Sequence, residues 1–183
     1  MSARAAWRLE ETLGFRNVYR YTPGKADWLA AGLAREGEMA AVLRIGDVAD
    51  RDVPTCGPGE RVGDVRRRLQ QVGQDVCVVV SKRRVVLGRV RVKDLEGDPD
   101  AAVEEVMDPG PVTYRPDTLL AELVEHLQQL PKGKANRILV TTSDGELIGL
   151  LRRADAERIL EELHAQHADH AEHEAHAQAQ ASR

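Results

Sequence analysis

Thiols are almost absent from this 183-residue chain: Cys56 and Cys77 are its only cysteines, they lie far apart, and they form no C-x-x-C. That argues against a structural zinc site built on thiolates and fits a reducing compartment. Cys77 falls within Asp-Val-Cys-Val-Val-Val, where a buried strand would use a thiol as a small hydrophobe. Long apolar runs are missing too. None approaches the roughly 18 to 20 residues that span a bilayer, and the N-terminus lacks the apolar core of a signal peptide. A cytoplasmic protein with no membrane partner is expected. Nor is there an excess of positive charge: 26 Lys and Arg face 30 Asp and Glu, for a net charge of −4 and a pI near 5.9. Nucleic acid is therefore not an expected partner. Arg66-Arg67-Arg68 and Lys82-Arg83-Arg84 read as a solvated helix face and a hairpin tip.

Catalytic signatures are equally scarce. Gly133-Lys134 is followed by Ala135 and has no glycine five positions earlier, and Gly57-x-Gly59 lacks the third glycine, so neither makes a phosphate-cradling loop. Glu10-Glu11, Glu104-Glu105 and Glu161-Glu162 are adjacent, so each pair diverges around a helix instead of converging as an acid/base dyad. No catalytic residue is expected.

What the chain does have is a repeat. Val48-x-Asp50, Thr55-x-x-Pro58, Val62-x-x-Val65 and Leu69 return as Val106-x-Asp108, Thr113-x-x-Pro116, Leu120-x-x-Leu123 and Leu127, at a constant offset of 58 residues. Gly88-x-x-Arg91-x-x-Asp94 then returns as Gly149-x-x-Arg152-x-x-Asp155 at an offset of 61, which places a three-residue insertion near Pro131-Lys132-Gly133. Each copy is too small to bury a sizeable core alone, so a pseudo-symmetric pair with a ligand cleft between the halves is expected.

Both copies read as strand, helix, strand, strand, helix. Short extended pieces at Val53 to Cys56 and Val112 to Tyr114 precede amphipathic helices at Arg61 to Gln71 and Thr118 to Leu130, with Gly59 and Asp117 as expected N-caps. Strands follow at Val76 to Val80 and Val85 to Arg91, then at Ile138 to Thr141 and Glu146 to Leu151, where Asp144-Gly145 is a hairpin signal. The closing helix is poorly marked after Asp94 and strongly marked from Arg153 to His164.

These features, with Val103 to Asp108 as the entry to the second copy, resemble a tandem cystathionine-beta-synthase (CBS) domain pair, or Bateman module, over about Ile45 to His164. The resemblance implies an α+β fold of two units, 44–102 and 103–164, whose sheets pack pseudo-symmetrically. It also implies a homodimer through those units and clefts for an adenosine-containing ligand such as AMP, ADP, ATP or S-adenosylmethionine, with the ligand's presence transmitted to a regulated partner. Its ligand motif maps onto Gly88, Arg91 and Asp94 and onto Gly149, Arg152 and Asp155, with Val112 and Ile138 as further candidates, and each carboxylate is expected to face a crevice between the halves. Arginines stand where the family has a hydroxyl. A guanidinium at a helix start could hold phosphate. At three residues before the aspartate it could equally form an intrahelical ion pair and leave a degenerate site, and the protein an interaction scaffold.

Residues 2 to 37, with Leu13-Gly14-Phe15-Arg16-Asn17-Val18-Tyr19 and Gly24-Lys25-Ala26-Asp27-Trp28-Leu29, resemble the final third of a rhodanese domain. Within it Ala5, Leu9 and Leu13 fall at helical spacing, Phe15 to Tyr21 alternates as a short strand and Lys25 to Leu33 reads as a second helix; the resemblance implies a truncated segment at 1–40. The family's nucleophilic cysteine loop has no counterpart, so sulfur transfer is disfavoured. In the tail, 165–183, and just before it, His164, His167, His170, His173 and His176 recur every third residue. They offer a candidate divalent-metal site on a helical or disordered extension.

Overall fold

The computed structural model describes residues 2–19, 21–22, 24–37, 42–131 and 135–166. Helix α1 (Ser2–Trp7) runs on as one wide turn, Arg8–Thr12, and α2 spans Lys25–Ala30, after which Gly32 takes a left-handed φ of 68°. The strand expected within Phe15 to Tyr21 is not formed among the described residues. No neighbouring strand lies beside it, and a lone strand cannot satisfy its own amides.

The repeat begins with the short helix α3 (Ile45–Val48), then β1 (Thr55–Cys56), α4 (Val62–Val72), β2 (Val76–Val80), β3 (Val86–Arg91) and a single 3₁₀ turn at Val92–Leu95. The second copy supplies α5 (Val103–Val106), β4 (Asp108–Pro109), β5 (Thr113–Tyr114), α6 (Leu120–Gln128), β6 (Arg137–Thr141), β7 (Leu147–Arg152) and α7, residues 153–166. The sheets run β1-β2-β3-β4 and β5-β6-β7. In each, the first pair is parallel, the second is an antiparallel hairpin, and the hairpin register shifts at equivalent points, Val79/Val80 and Val140/Thr141.

Strand alternation sends side chains to two different cores. Cys77 and Val79 join Cys56, Val62, Val65 and Leu69 in the first unit, while Ile138 and Val140 join Leu120, Leu123, Val124 and Leu127 in the second. The opposite strand faces meet each other in a third cluster, Val76 and Val78 against Leu139, Leu147 and Leu150. At the hairpin tips, equivalent residues Val85 and Glu146 pair across the pseudo-two-fold axis, flanked by Val86 N–H to Gly145 O at 3.0 Å and Leu147 N–H to Arg84 O at 2.9 Å.

Packing units and sequence units do not coincide. Ile45 of α3 is buried in the second unit's core, and Val103 of α5 in the first unit's. Each copy thus lends its entry helix to the other, which is why Gly59 and Asp117 do not cap. Val62 N–H donates to Ala101 O at 3.0 Å, Gly63 N–H to Pro99 O at 2.9 Å, and Leu120 N–H to Leu43 O at 3.1 Å. Carbonyls of the exchanged segments satisfy the helix starts that side-chain caps would otherwise serve. The residues flanking the helix starts are Arg61 and Leu119.

The motif glycines admit this exchange. A Cβ at Gly149 would collide with the Asp50 carbonyl oxygen, whereas one at Gly88 would first meet the Met107 Sδ, at 2.6 Å. Backbone cannot retreat as a thioether can. Gly149→Ala is expected to cost about 1–3 kcal/mol of stability, and Gly88→Ala distinctly less. Urea unfolding of both variants measures the difference, and equal losses would remove this account of the clamp.

Candidate functional site

Two clefts lie at equivalent places where one unit's first hairpin strand meets the other unit. The first, about 610 Å³, is bounded by Val76, Arg89 and Arg91 from one unit and by Val112, Tyr114, His126, Leu130, Asn136 and Arg137 from the other. Its counterpart, between Pro54, Gln74 and Val76 on one side and Arg137, Leu150 and Arg152 on the other, retains about 20 Å³.

Three substitutions between the copies distinguish the two clefts. Val76, Asp75 and Gln74 in the first copy correspond to Arg137, Asn136 and Ala135 in the second, while Arg91 corresponds to another arginine, Arg152. The long Arg137 side chain enters the second cleft and pairs with the Asp75 carboxylate. Arg152 crosses the same cleft, donating from Nη2 to Gln74 Oε1 at 3.3 Å. In the first cleft the corresponding positions offer a short Val76 and an Ala135 that accepts nothing. Arg91 therefore folds back on its own chain, with Nε 2.9 Å from Asp94 Oδ2 and Nη2 3.3 Å from Oδ1. The space stays open. Arg89 holds Asp108 through Nε and Nη2 at 3.0 and 2.8 Å, and the Tyr114 and His126 rings lie 6.5 Å apart at 59°.

The two motif carboxylates behave differently, and neither is among the residues lining the clefts. Asp94 Oδ2 also accepts the Arg91 backbone N–H at 2.9 Å, because the 3₁₀ turn stacks residues three apart. Burial alone would raise the Asp94 carboxyl; the Arg91 guanidinium and backbone N–H outweigh it and hold the group below the usual carboxylate range. Asp155 opens the longer helix α7, where it lies 3.5 Å from Arg158 with half of its side chain exposed. Both aspartates are engaged by local pairing on their own helical turns, Asp94 with the cleft residue Arg91 and Asp155 with Arg158.

The remaining sequence candidates are scattered. Val112, 76% exposed, lines the open cleft with Arg91, while Arg152 lines the closed one. Gly88 and Gly149 serve the close approach of the exchanged segments, and Ile138, 1% exposed, belongs to the second core. Sequence reasoning missed Arg89, Tyr114, Asn136 and Arg137; His126 is an exposed residue of α6 whose ring reaches the cleft. An in-register comparison of the copies would have found Arg137, the one charged residue opposite a valine at the start of the hairpin.

Sulfur and metal chemistry find little footing among the described residues. Cys56 and Cys77 are buried strand residues of one core, and the hydrogen bond to Cys77, aided by burial, pushes the Cys56 thiol far up. His164 is exposed on α7, whereas His167, His170, His173 and His176 lie outside the described residues. No group of three or more potential metal ligands occurs among the described residues.

The Arg91–Asp94 pair yields a pH test. Because the folded carboxyl lies below its unfolded value, its contribution is present above the ordinary carboxylate range and lost as pH falls through the folded value. Asp94→Ala is expected to cost about 0.5–1 kcal/mol near neutral pH, as capping and partly exposed pairing losses. That deficit should shrink below about pH 4. A deficit that is constant from pH 7 to 3 in chemical denaturation would exclude the pair as its source.

Comparison with known proteins agrees with this architecture. CBSX2 of Arabidopsis thaliana, solved in complex with AMP, is 22% identical, with a TM-score of 0.56 over 66% of this chain and 97% of that one. The cytosolic domain of the Mg²⁺ channel MgtE, solved with ATP, is 22% identical, with a TM-score of 0.57 over 66% of this chain and 51% of that one. A CBS domain pair solved with 5′-methylthioadenosine and S-adenosyl-L-methionine is 13% identical, with a TM-score of 0.54 over 65% and 96%. A sequence model of the family described as CBS domain matches residues 45–96 and 103–162, more than half of the chain. The chain belongs to the CBS domain family, as a tandem pair.

Proposed function

We propose that this protein is a non-enzymatic regulatory module that binds an adenosine-containing ligand in its open cleft. The observation that carries the reading is the composition of that cleft: the Tyr114 and His126 rings on one wall, for a flat heteroaromatic base, and guanidiniums of Arg89, Arg91 and Arg137 around it, for phosphate. Structural neighbours solved with AMP, with ATP and with S-adenosylmethionine support the same ligand class. Arg91 takes the phosphate role by leaving Asp94, and Asp94 then becomes available to the ribose hydroxyls. A ligand with different affinities for two arrangements of the pair shifts their populations, which a partner protein reads. The family resemblance extends the proposal to a cytoplasmic homodimer through the two units. No described helix is long and apolar enough to cross a membrane.

One observation favours a second reading, an interaction scaffold. Trp7, Phe15 and Tyr19 of the rhodanese-like segment are 62%, 58% and 90% exposed, and aromatic side chains are enriched where proteins dock.

Isothermal titration with AMP, ADP, ATP and S-adenosylmethionine tests the first reading. One ligand per chain is expected. Arg91→Ala and Tyr114→Ala should each weaken it about tenfold or more, equivalent to about 1.4 kcal/mol, and Asp155→Ala should leave it unchanged. Absence of heat with all four ligands would transfer the assignment to the scaffold.

A further inference from the structure

We infer that the open cleft selects its ligand by charge, taking a nucleoside polyphosphate in preference to a monophosphate and excluding a cationic nucleoside, with Arg89 as the residue that sets the preference. That a nucleoside occupies the cleft rests on the proposed function; the charge selection does not. Among the described residues that line the cleft, three are arginines and none is an aspartate or glutamate. Arg89 is the member that the repeat does not lead one to expect. In the hairpin register Arg89 stands opposite Val78, and its counterpart Leu150 stands opposite Leu139, 9% exposed in the apolar seam. A guanidinium thus takes the place that the other copy fills with leucine, and a charge at the margin of an apolar contact costs stability unless it is well paired.

Strand periodicity places Arg89 and Arg91 on one face of β3, about 7 Å apart along the strand. That spacing exceeds a single phosphate group and suits a chain of them laid along β3. Arg137 adds a third guanidinium from β6, across the cleft. Each arginine is paired with a carboxylate that is not among the lining residues: Arg89 with Asp108 at 2.8 Å, Arg91 with Asp94 at 2.9 Å, and Arg137 with Asp75. One partner of each pair is well exposed, Asp108 at 45%, Arg91 at 44% and Asp75 at 61%, and pairs of this kind are held weakly. Phosphate oxygens accept bidentate, charge-assisted bonds from guanidinium and displace such partners. The exchange has to be made at each arginine separately, so the anion with the most phosphates recovers the most. A sulfonium nucleoside brings positive charge toward three guanidiniums and meets no carboxylate on the lining.

Isothermal titration of the full chain with ATP, AMP, S-adenosylmethionine and inorganic tripolyphosphate, in buffer without divalent cations, tests the selection. ATP is expected to bind about tenfold or more tighter than AMP, and S-adenosylmethionine to give no saturable heat. Arg89→Leu, which installs the other copy's residue, should reduce the preference for ATP to about threefold or less, by weakening ATP and leaving AMP nearly unchanged. Arg89→Gln makes the same measurement should the leucine variant fold poorly. AMP or S-adenosylmethionine binding as tightly as ATP would overturn the selection, as would a variant that keeps the full preference. Tripolyphosphate separates this inference from the reading beneath it. Tripolyphosphate that binds, and loses affinity in Arg89→Leu, while no nucleoside binds, would uphold the phosphate grip and refute the adenosine reading. Equal binding of AMP and ATP with no response to tripolyphosphate would uphold the adenosine reading and refute the charge selection. Silence with every ligand refutes both.

Discussion

Two hairpins buried on both faces hold this molecule together. Val76 and Val78 of one meet Leu139, Leu147 and Leu150 of the other, while the alternate residues of each strand fill its own unit's helical core. Neither hairpin could remain in water alone with one face uncovered, since each unit is too small to supply a second layer for itself. The apolar seam thereby fixes the relation of the halves, and with it the two clefts at its margins. Backbone pairing of Val85 with Glu146 at the far end adds register to an attraction that is otherwise non-directional.

A second constraint follows from the exchange of entry helices. With Ile45 in one core and Val103 in the other, neither unit can be lifted away without emptying a core position in its neighbour. Deleting a buried aliphatic side chain of this size typically costs about 2–5 kcal/mol, so the exchange ties the halves more tightly than the seam does alone. It also dictates local sequence. Helices α4 and α6 start against borrowed carbonyls, and Gly149 is small because the backbone at Asp50 passes over it.

The internal repeat, its offsets and the hairpin strands were legible from spacing and alternation, because each is a local periodicity with one buried face. Val76–Val80 lies where the pattern places it, and the family follows from the doubled order of elements. The caps were not legible, since Asp117, a good local signal, and Gly59, a weaker one, are overridden by partners more than thirty residues away. Strand β4 and helices α3 and α5 escaped for the same reason: two to four residues carry no period, and tertiary contacts alone define them. At the site, the motif identified Arg91, and the intrahelical alternative raised for it is the arrangement found in the first copy. Arg152 follows neither reading, because Gln74 of the other unit, invisible to a local rule, supplies its partner.

Loss of symmetry in a duplicated fold need not mean decay. A duplicated cleft that has merely degenerated would be expected to fill with apolar side chains, which gain by burial and have no reason to leave. Here the filling is charged and partly wet, and one of its members reaches both clefts. Paired with Asp75, whose side chain is 61% exposed, Arg137 keeps 26% of its own side chain in water although it stands where its repeat partner is a valine.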